Sequence, residues 1–334
     1  MGSVKTQAPR QPARRMLRAW VRAVSTAAGA ATSTAMSVTE STAASTAAST
    51  AVGTAASATA TASCTARRAR ITDEGHRMRA DVSAAPSPVR AIRGEGTAES
   101  HWLGWPGLRA LPRRQLREWL PAGVRLVVIA PHPDDEILGG GGLLAEHVAQ
   151  GGAAAVVAVT DGEASHGGGG AHVGRLAARR RRESASGLAR LGVAGVAVHR
   201  LGLPDGGVAQ HVDGLARVLA ALLRPSDVAL STWRLDGHPD HEASGAAAAQ
   251  ACAAAACRLL EAPVWMWHWA APGDARVPWE HLCGFSVPMH VRAAKEWAIA
   301  AHATQLEARG QALGPVLGRS VLARAVRDTE YFFV

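Results

Sequence analysis

From residue 125 onward, this 334-residue chain alternates short apolar runs with longer amphipathic stretches. The runs at 126–130, 154–160, 195–201, 227–230 and 264–269 have the length and aliphatic content of buried strands. The stretches at 137–150, 173–191, 211–223, 242–260 and 293–308 lie between and after them and read as helices. Tyr331-Phe332-Phe333-Val334 adds a last short strand. Strands alternating with helices of this length imply βαβ units, a parallel sheet and right-handed crossovers. In a strand at 264–269, Trp265, Trp267 and Trp269 would share one face, with Met266 and His268 on the other. Such a face fits core packing or a platform for a sugar ring.

Residues 1–100 show neither periodicity. Ser41-Thr42-Ala43-Ala44 repeats as Ser45-Thr46-Ala47-Ala48 and, more loosely, through Ala56. Small side chains at period four have nothing large to bury, so nothing offsets the entropy of ordering them. This stretch is expected to be a disordered, basic Ala/Ser/Thr-rich segment. Its first 72 residues contain one acid, Glu40, a composition that overlaps with a transit peptide. The plainer readings are a low-complexity tail or an upstream start codon. Arg18 and Arg22 interrupt the one candidate secretory core. Residues 101–123, with Trp102, Trp105 and Trp119, read as a lead-in segment on the edge of a domain that spans 124–334.

Charge sharpens that division. The formal net charge of +9 is the sum of +10 over residues 1–119 and −1 over the rest. The basic character therefore belongs to the N-terminal third and is no nucleic-acid footprint for the folded part. Four cysteines form no CxxC pair and no disulfide framework. Cys252 and Cys257 read as small buried thiols of a helix, which fits a reducing, cytoplasmic setting. No apolar run approaches the ~18 residues that span a bilayer.

Two loops concentrate the chemistry. Ala130-Pro131-His132-Pro133-Asp134-Asp135-Glu136 follows the strand expected at 126–130, and His238-Pro239-Asp240-His241 follows the one at 227–230. Taken singly, each has an ordinary explanation. His132 could sit in the core, and Asp134, Asp135, Asp240 and Glu242 could cap helices or face their dipoles. Together, two such clusters at the carboxyl ends of strands suggest one metal site built from two loops. A catalytic zinc takes three protein ligands and keeps one position open. His132 and Asp135 can turn toward one point and His241 can complete the triad. Asp134 is then free to act as a base for water, which zinc acidifies to a pKa of roughly 7. His238 can polarise a carbonyl, stabilise an oxyanion or protonate a leaving amine. Asp240 can hydrogen-bond one of the two neighbouring histidines and set its tautomer. Gly139–Gly142 could cradle phosphate at a helix N-terminus. Because the preceding loop is filled by Pro, His and Asp, close helix–sheet packing is the better reading. Gly167 to Gly170 read as a surface loop.

The two motifs, with their order and spacing, resemble the signatures of the PIG-L/LmbE-like zinc-dependent N-deacetylases. The likeness runs from about Arg125 to the C-terminus. It implies a Rossmann-like three-layer α/β/α fold with a mainly parallel sheet. It also implies one Zn2+ per chain, with other divalent metals able to serve. Carried over by position, it implies His132, Asp135 and His241 as ligands, Asp134 as general base, and His238 as oxyanion partner or general acid oriented by Asp240. Arg182, Asp205 and His302 fall where relatives contact substrate, and Lys295 and Gln305 belong to the same C-terminal pattern. Pro131 follows Ala130 where the family often has Ala directly before its His-Pro pair, a departure that leaves every ligand in place. The expected activity is hydrolysis of an N-acetyl amide on an N-acetylglucosamine-type sugar or glycoconjugate. Alternatives are an amide hydrolase for a thiol conjugate or acylated natural product, and a non-catalytic sugar- or nucleotide-binding module. No nucleic-acid partner is expected, and oligomeric state is not legible.

Overall fold

A computed structural model describes residues 90–167, 169–309 and 314–334. The disordered segment expected at 1–100 lies outside these residues up to position 89, as does Gly168 of the expected surface loop. Residues 90–100 are described, and they are tied to the domain. Thr97 donates its backbone N–H to His268 O and its hydroxyl to Ala270 O. Arg90 pairs with Glu242 at 3.2 Å, and Glu99 takes a bidentate contact from Arg327.

Among the described residues, eight strands form one open sheet: β1 (Arg113–Arg114), β2 (Arg125–Ala130), β3 (Ala153–Thr160), β4 (Ala197–Leu203), β5 (Val228–Thr232), β6 (Arg258–Ala262), β7 (Leu282–Ser286) and β8 (Thr329–Phe333). Their spatial order is β1-β7-β8-β6-β5-β2-β3-β4. All neighbours are parallel except β8, which runs antiparallel to β6 and β7. Side chains of β2 alternate between two cores. Leu126 and Val128 join a cluster with Leu143, Leu144, Leu188 and Val291, from the helices Gly141–Ala149, Ala171–Arg190 and Met289–Ile299. Val127 and Ile129 join another with Leu215, Leu219, Ala247 and Ala251, from Val212–Leu222 and Pro239–Ala255. A parallel sheet with both faces covered needs strands that are apolar on both sides, as β2, β3 and β5 are.

The chain moves from β2 outward to β3 and β4, then returns to place β5 on the other side of β2. The carboxyl ends of β2 and β5 thus flank the point where strand order reverses, where open α/β sheets form their crevice. Both motif loops begin there.

Several expected elements differ. The helix at 137–150 is two pieces, Asp135–Leu138 and Gly141–Ala149. At the break, a Cβ on Gly140 would stand 2.3 Å from Leu230 Cδ2, so the chain passes β5 too closely for a side chain. The N–H groups of Gly142 and Leu143 are taken by the Glu330 carboxylate at 2.6 and 2.8 Å. The glycine run therefore packs and is capped from within, and no phosphate cradle is formed.

The Ala-rich helix ends at Ala255, not 260. Ala256 adopts φ +51°, and the Cys257 N–H bonds back to Cys252 O. That frees Arg258–Ala262 to pair in parallel with β5 and bury Leu260. The strand expected at 264–269 is instead a helical turn, Met266–Trp269. The cause is Asp236, whose carboxylate accepts the backbone N–H groups of Val264, Trp265 and Met266. The three tryptophans therefore share no strand face. Trp267 is buried, while Trp265 and Trp269 are half-buried. The lead-in tryptophans do more than cover an edge, since Trp102 and Trp119 are fully buried. The helix expected at 293–308 is likewise split, into Met289–Ile299 and Ala303–Leu306, and β4 is displaced by two residues from 195–201. Among the described residues, no helix is long and apolar enough to cross a membrane.

Candidate active site

The loop after β2 is held by residues distant in sequence. Thr160, at the end of β3, donates both its backbone N–H and its hydroxyl to Pro131 O, at 3.0 and 2.8 Å. Arg180, 3% exposed, reaches from the helix Ala171–Arg190 to Pro133 O (2.9 Å), Gly162 O (2.8 Å) and the Asp134 carboxylate (3.3 Å). Gly162 has to be glycine, because its φ is +67° and a Cβ there would lie 1.8 Å from Arg180 Nη1. Asp134 itself sits at φ +139°, ψ −28°, a strained conformation for a residue with a side chain. Its N–H bonds Glu136, and Ser184 holds the other oxygen of that carboxylate at 2.6 Å.

The second loop is built locally. His238 is the N-cap of the helix Pro239–Ala255, its Nδ1 accepting the Asp240 N–H at 3.3 Å, and Pro239 occupies the first helical position. His241 then stands one turn in, with 1% exposure.

The ring nitrogens divide into two pairs. His132 Nε2 lies 3.2 Å from both Asp205 Oδ1 and Asp240 Oδ2. His241 Nδ1 lies 2.8 Å from Asp236 Oδ2. Both nitrogens of each ring therefore face carboxylates, and in the singly protonated ring a proton held on the side of Asp205 and Asp240, or of Asp236, would leave His132 Nδ1 and His241 Nε2 as lone-pair donors. These two nitrogens lie 3.2 and 3.3 Å from the same atom, Asp135 Oδ2. Donors at ~2.0–2.1 Å around a tetrahedral zinc are roughly 3.3 Å apart. The two spacings from Asp135 Oδ2, and the donor types, therefore suit a divalent cation held by His132, Asp135 and His241. The sets whose donor atoms all lie within 4.8 Å of one another among the described residues are different ones: His132, His238 and His241, and His132, Asp205 and Asp240. In the latter set Asp205 accepts Ala164 N–H and Asp240 accepts Gly206 and Val208 N–H, as Asp135 Oδ2 itself accepts the His132 N–H at 2.9 Å.

The electrostatics follow from this crowding. Burial would lower the pKa of His241, but Asp135 and Asp236 raise it further, to about 9. Burial also works against protonation of His132, and its contacts with Asp135, Asp205 and Asp240 outweigh that, holding it well above its ordinary value. The cluster thus favours positive charge at its centre. Burial, reinforced by Asp135 and opposed by Arg180, lifts Asp134 to about 7. Burial and the neighbouring His241 and His132 push His238 down to about 3, so its imidazole is neutral. With Nδ1 accepting from Asp240, its proton is on Nε2.

A cleft of about 290 Å³ opens onto these groups, lined by His132, Asp134, Asp135, Arg180, Asp205, His238, His241, Trp265, Gln305 and Arg309. Four expectations need correction. The Asp240 carboxylate braces His132, not His238, which it meets only through its backbone N–H. Arg182 is exposed and lines no part of the cleft. Two helical positions separate it from Arg180, so the two point in nearly opposite directions. His302 is 1% exposed and also absent from the cleft wall. It lies behind Gly187, with both ring nitrogens unpartnered among the described residues and a pKa lowered by burial. Lys295 likewise faces away, bonded to Glu330 at 2.6 Å. Asp236, which contacts His241, and Arg180, which contacts Asp134, are residues of this cluster that sequence reasoning missed. The available signal was an acid five positions before His241, and a helix register that places Arg180 on the buried face with Glu183, Ser184 and Gly187.

Residues 127–252 match the family described as GlcNAc-PI de-N-acetylase, PIG-L. No curated protein matches the chain in sequence. Among solved structures, a conserved protein from Thermus thermophilus is similar at 28% identity and a TM-score of 0.45, over 63% of this chain and 93% of that one. The N,N'-diacetylchitobiose deacetylase of Pyrococcus horikoshii is similar at 19% identity and a TM-score of 0.43, over 56% and 73%. A deacetylase of the teicoplanin biosynthesis pathway is similar at 18% identity and a TM-score of 0.47, over 63% and 97%.

Proposed function

We propose, on the premise that residues 127–252 are a PIG-L family domain, that this chain is a metal-dependent N-deacetylase acting on an N-acetylglucosamine-type sugar or glycoside. The observation that carries the reading is the convergence of His132 Nδ1 and His241 Nε2 on Asp135 Oδ2, with Asp134 one residue away. His132, Asp135 and His241 would hold one zinc. Iron(II), manganese or cobalt would suit the same donors. A divalent ion there supplies Lewis acidity, which acidifies water and polarises a carbonyl.

The chain's own residues do the rest. Asp134, with a pKa near 7, is suited to take the proton of the water that adds to the acetyl carbon and to return it to the amine as the C–N bond breaks. Acetate and a free amine leave, and the carboxylate is regenerated. Arg180 keeps Asp134 ionisable in a buried position and fixes its strained backbone; such strain is characteristic of functional residues. Neutral His238 donates a hydrogen bond from its Nε2–H to the carbonyl oxygen as that atom gains charge, and keeps its proton. Its low pKa favours this role over general acid. Trp265 and Gln305, on the cleft wall, are suited to an apolar ring face and a hydroxyl or amide.

The test is acetate release by zinc-loaded full-length chain from N-acetylglucosamine and its glycosides, beside Asp134→Asn. Turnover in the wild type and its loss in the variant are expected. Saturable sugar binding with no acetate from any substrate would overturn the assignment and indicate a binding module.

A further inference from the structure

Trp265 stands between two clefts. Beside the one that holds the His–Asp cluster lies a chamber of about 750 Å³, and the two share His238, Trp265, Arg309 and Val316 in their walls. Pockets that take drug-sized ligands run from roughly 300 to 1,000 Å³. At about 290 Å³ the first cleft falls at the bottom of that range, room for one sugar residue, and the chamber falls in its upper half. Except for His238, the chamber's wall lies outside the family domain at 127–252. Part of it is Ile92, Gly94 and Glu95, from the lead-in to the domain. That segment is anchored on another wall residue, His268. The ring's Nε2 lies 3.0 Å from Arg93 O, and Gly96, at φ +64°, approaches so closely that a Cβ there would stand 2.5 Å from the ring. Ile92, Val316 and Val321 join Trp265 as apolar surface, while Glu95, Arg319 and Ser320 add polar groups.

We propose, resting on the deacetylase reading above, that this chamber is an aglycone site and that the preferred substrate is a glycoside with a bulky, largely apolar aglycone, such as an aryl group with polar substituents. In an N-acetylglucosamine-type sugar, the carbon that bears the acetamido group is bonded to the anomeric carbon. The aglycone therefore leaves the ring beside the reacting amide. His238, assigned above to the amide carbonyl, is also a residue at which cleft and chamber meet. A free sugar would leave the chamber to water. An apolar aglycone would cover Ile92, Val316, Val321 and part of Trp265, and removing such surface from water is favourable. The polar residues suit an aglycone with hydroxyl or carbonyl groups better than the plain tail of a long N-acyl chain.

The experiment compares release of the carboxylic acid by zinc-loaded full chain from three probes: the methyl glycoside of N-acetylglucosamine, its 4-methylumbelliferyl glycoside, and the methyl glycoside of N-octanoylglucosamine. Burying one aromatic ring is worth about 10–100-fold. The aryl glycoside should exceed the acetylated methyl glycoside by that factor in kcat/KM, mostly through KM, because the aglycone is held equally before and during reaction. A Cβ on Gly318, a wall residue, would meet only Glu95 Oε2, at 4.0 Å, so Gly318→Trp can place a ring in the chamber without displacing backbone. It should erase the aryl preference and leave turnover of the acetylated methyl glycoside within about twofold. Ile92→Asp should reduce the preference as well, and it decides should Gly318→Trp not fold. Equal kcat/KM for methyl and aryl glycosides, a gain that follows the octanoyl chain instead, or a preference that neither variant moves would overturn the proposal. Should no probe release acid, the deacetylase reading falls, and calorimetric affinities of the same glycosides decide the chamber's role separately. Aryl binding about tenfold tighter than methyl, lost in the variants, supports an aglycone site; equal affinities refute it.

Discussion

The two loops that meet in the cleft are made in opposite ways. The loop at His238–His241 is assembled by its own helix: His238 caps it, Pro239 starts it, and His241 falls one turn in. The loop at His132–Asp135 is imposed on the chain. Asp134 takes φ +139° because Arg180, Thr160 and Glu136 hold its neighbours from outside. On the proposed reading, a ligand such as His241 needs only a direction, which a helix supplies at little cost. A base needs a shifted pKa beside a metal ligand, and that requires a carboxylate buried and strained against its preference. The difference locates where the fold has spent stability on chemistry.

Breaking the strained loop should have the largest effect. Asp134→Asn is expected to lower turnover by about 10²–10⁴-fold, the usual worth of a general base, with metal content unchanged. The same substitution should stabilise the metal-free protein above pH 7. Asp134 has its folded-state pKa raised to about 7 from 3.8, so its contribution is present below pH 4 and lost as pH rises through 7. Removing the charge should recover on the order of 2–4 kcal/mol at pH 8 and little at pH 4. Chemical denaturation of chelator-treated protein at both pH values measures this.

The locally built loop should fail differently. Asp236→Ala frees His241 Nδ1 and the N–H groups of residues 264–266. Metal affinity is expected to fall about 10–100-fold, read by competition with a chromophoric chelator. Unchanged affinity would mean that the ring needs no brace.

Arg180→Gln tests the imposed loop more gently. The guanidinium lowers the Asp134 pKa, so its loss should move the acidic limb of the kcat–pH profile to higher pH, because the base must be ionised to act. A profile that keeps its position would detach Arg180 from the base. Arg182→Ala, two positions away on the exposed face, should change kcat/KM by less than about twofold.

Much of this was legible in the sequence. The β2, β3 and β5 strands are plain in their apolar runs, and the second loop carries its own capping chemistry. What escaped was tertiary. Choosing between Arg180 and Arg182 requires the helix register against the sheet, which a run of four arginines hides. Trp265, Trp267 and Trp269 alternate like a strand, yet a remote carboxylate, Asp236, gathers the N–H groups of Val264, Trp265 and Met266 into a turn. Ala256 ends its helix in a left-handed conformation without the glycine that usually announces one. Residues 90–100 looked like the end of a featureless segment, but Thr97 and Glu99 tie them to the domain.

The most direct test of the central claim is metal stoichiometry by elemental mass spectrometry on the full chain, purified without added metal, beside a His132→Ala/His241→Ala double variant. The account predicts close to one divalent ion per wild-type chain, lost in the variant, with Asp134→Asn retaining it. No metal in the wild type even after zinc is added back, or metal retained by the double variant, would contradict it.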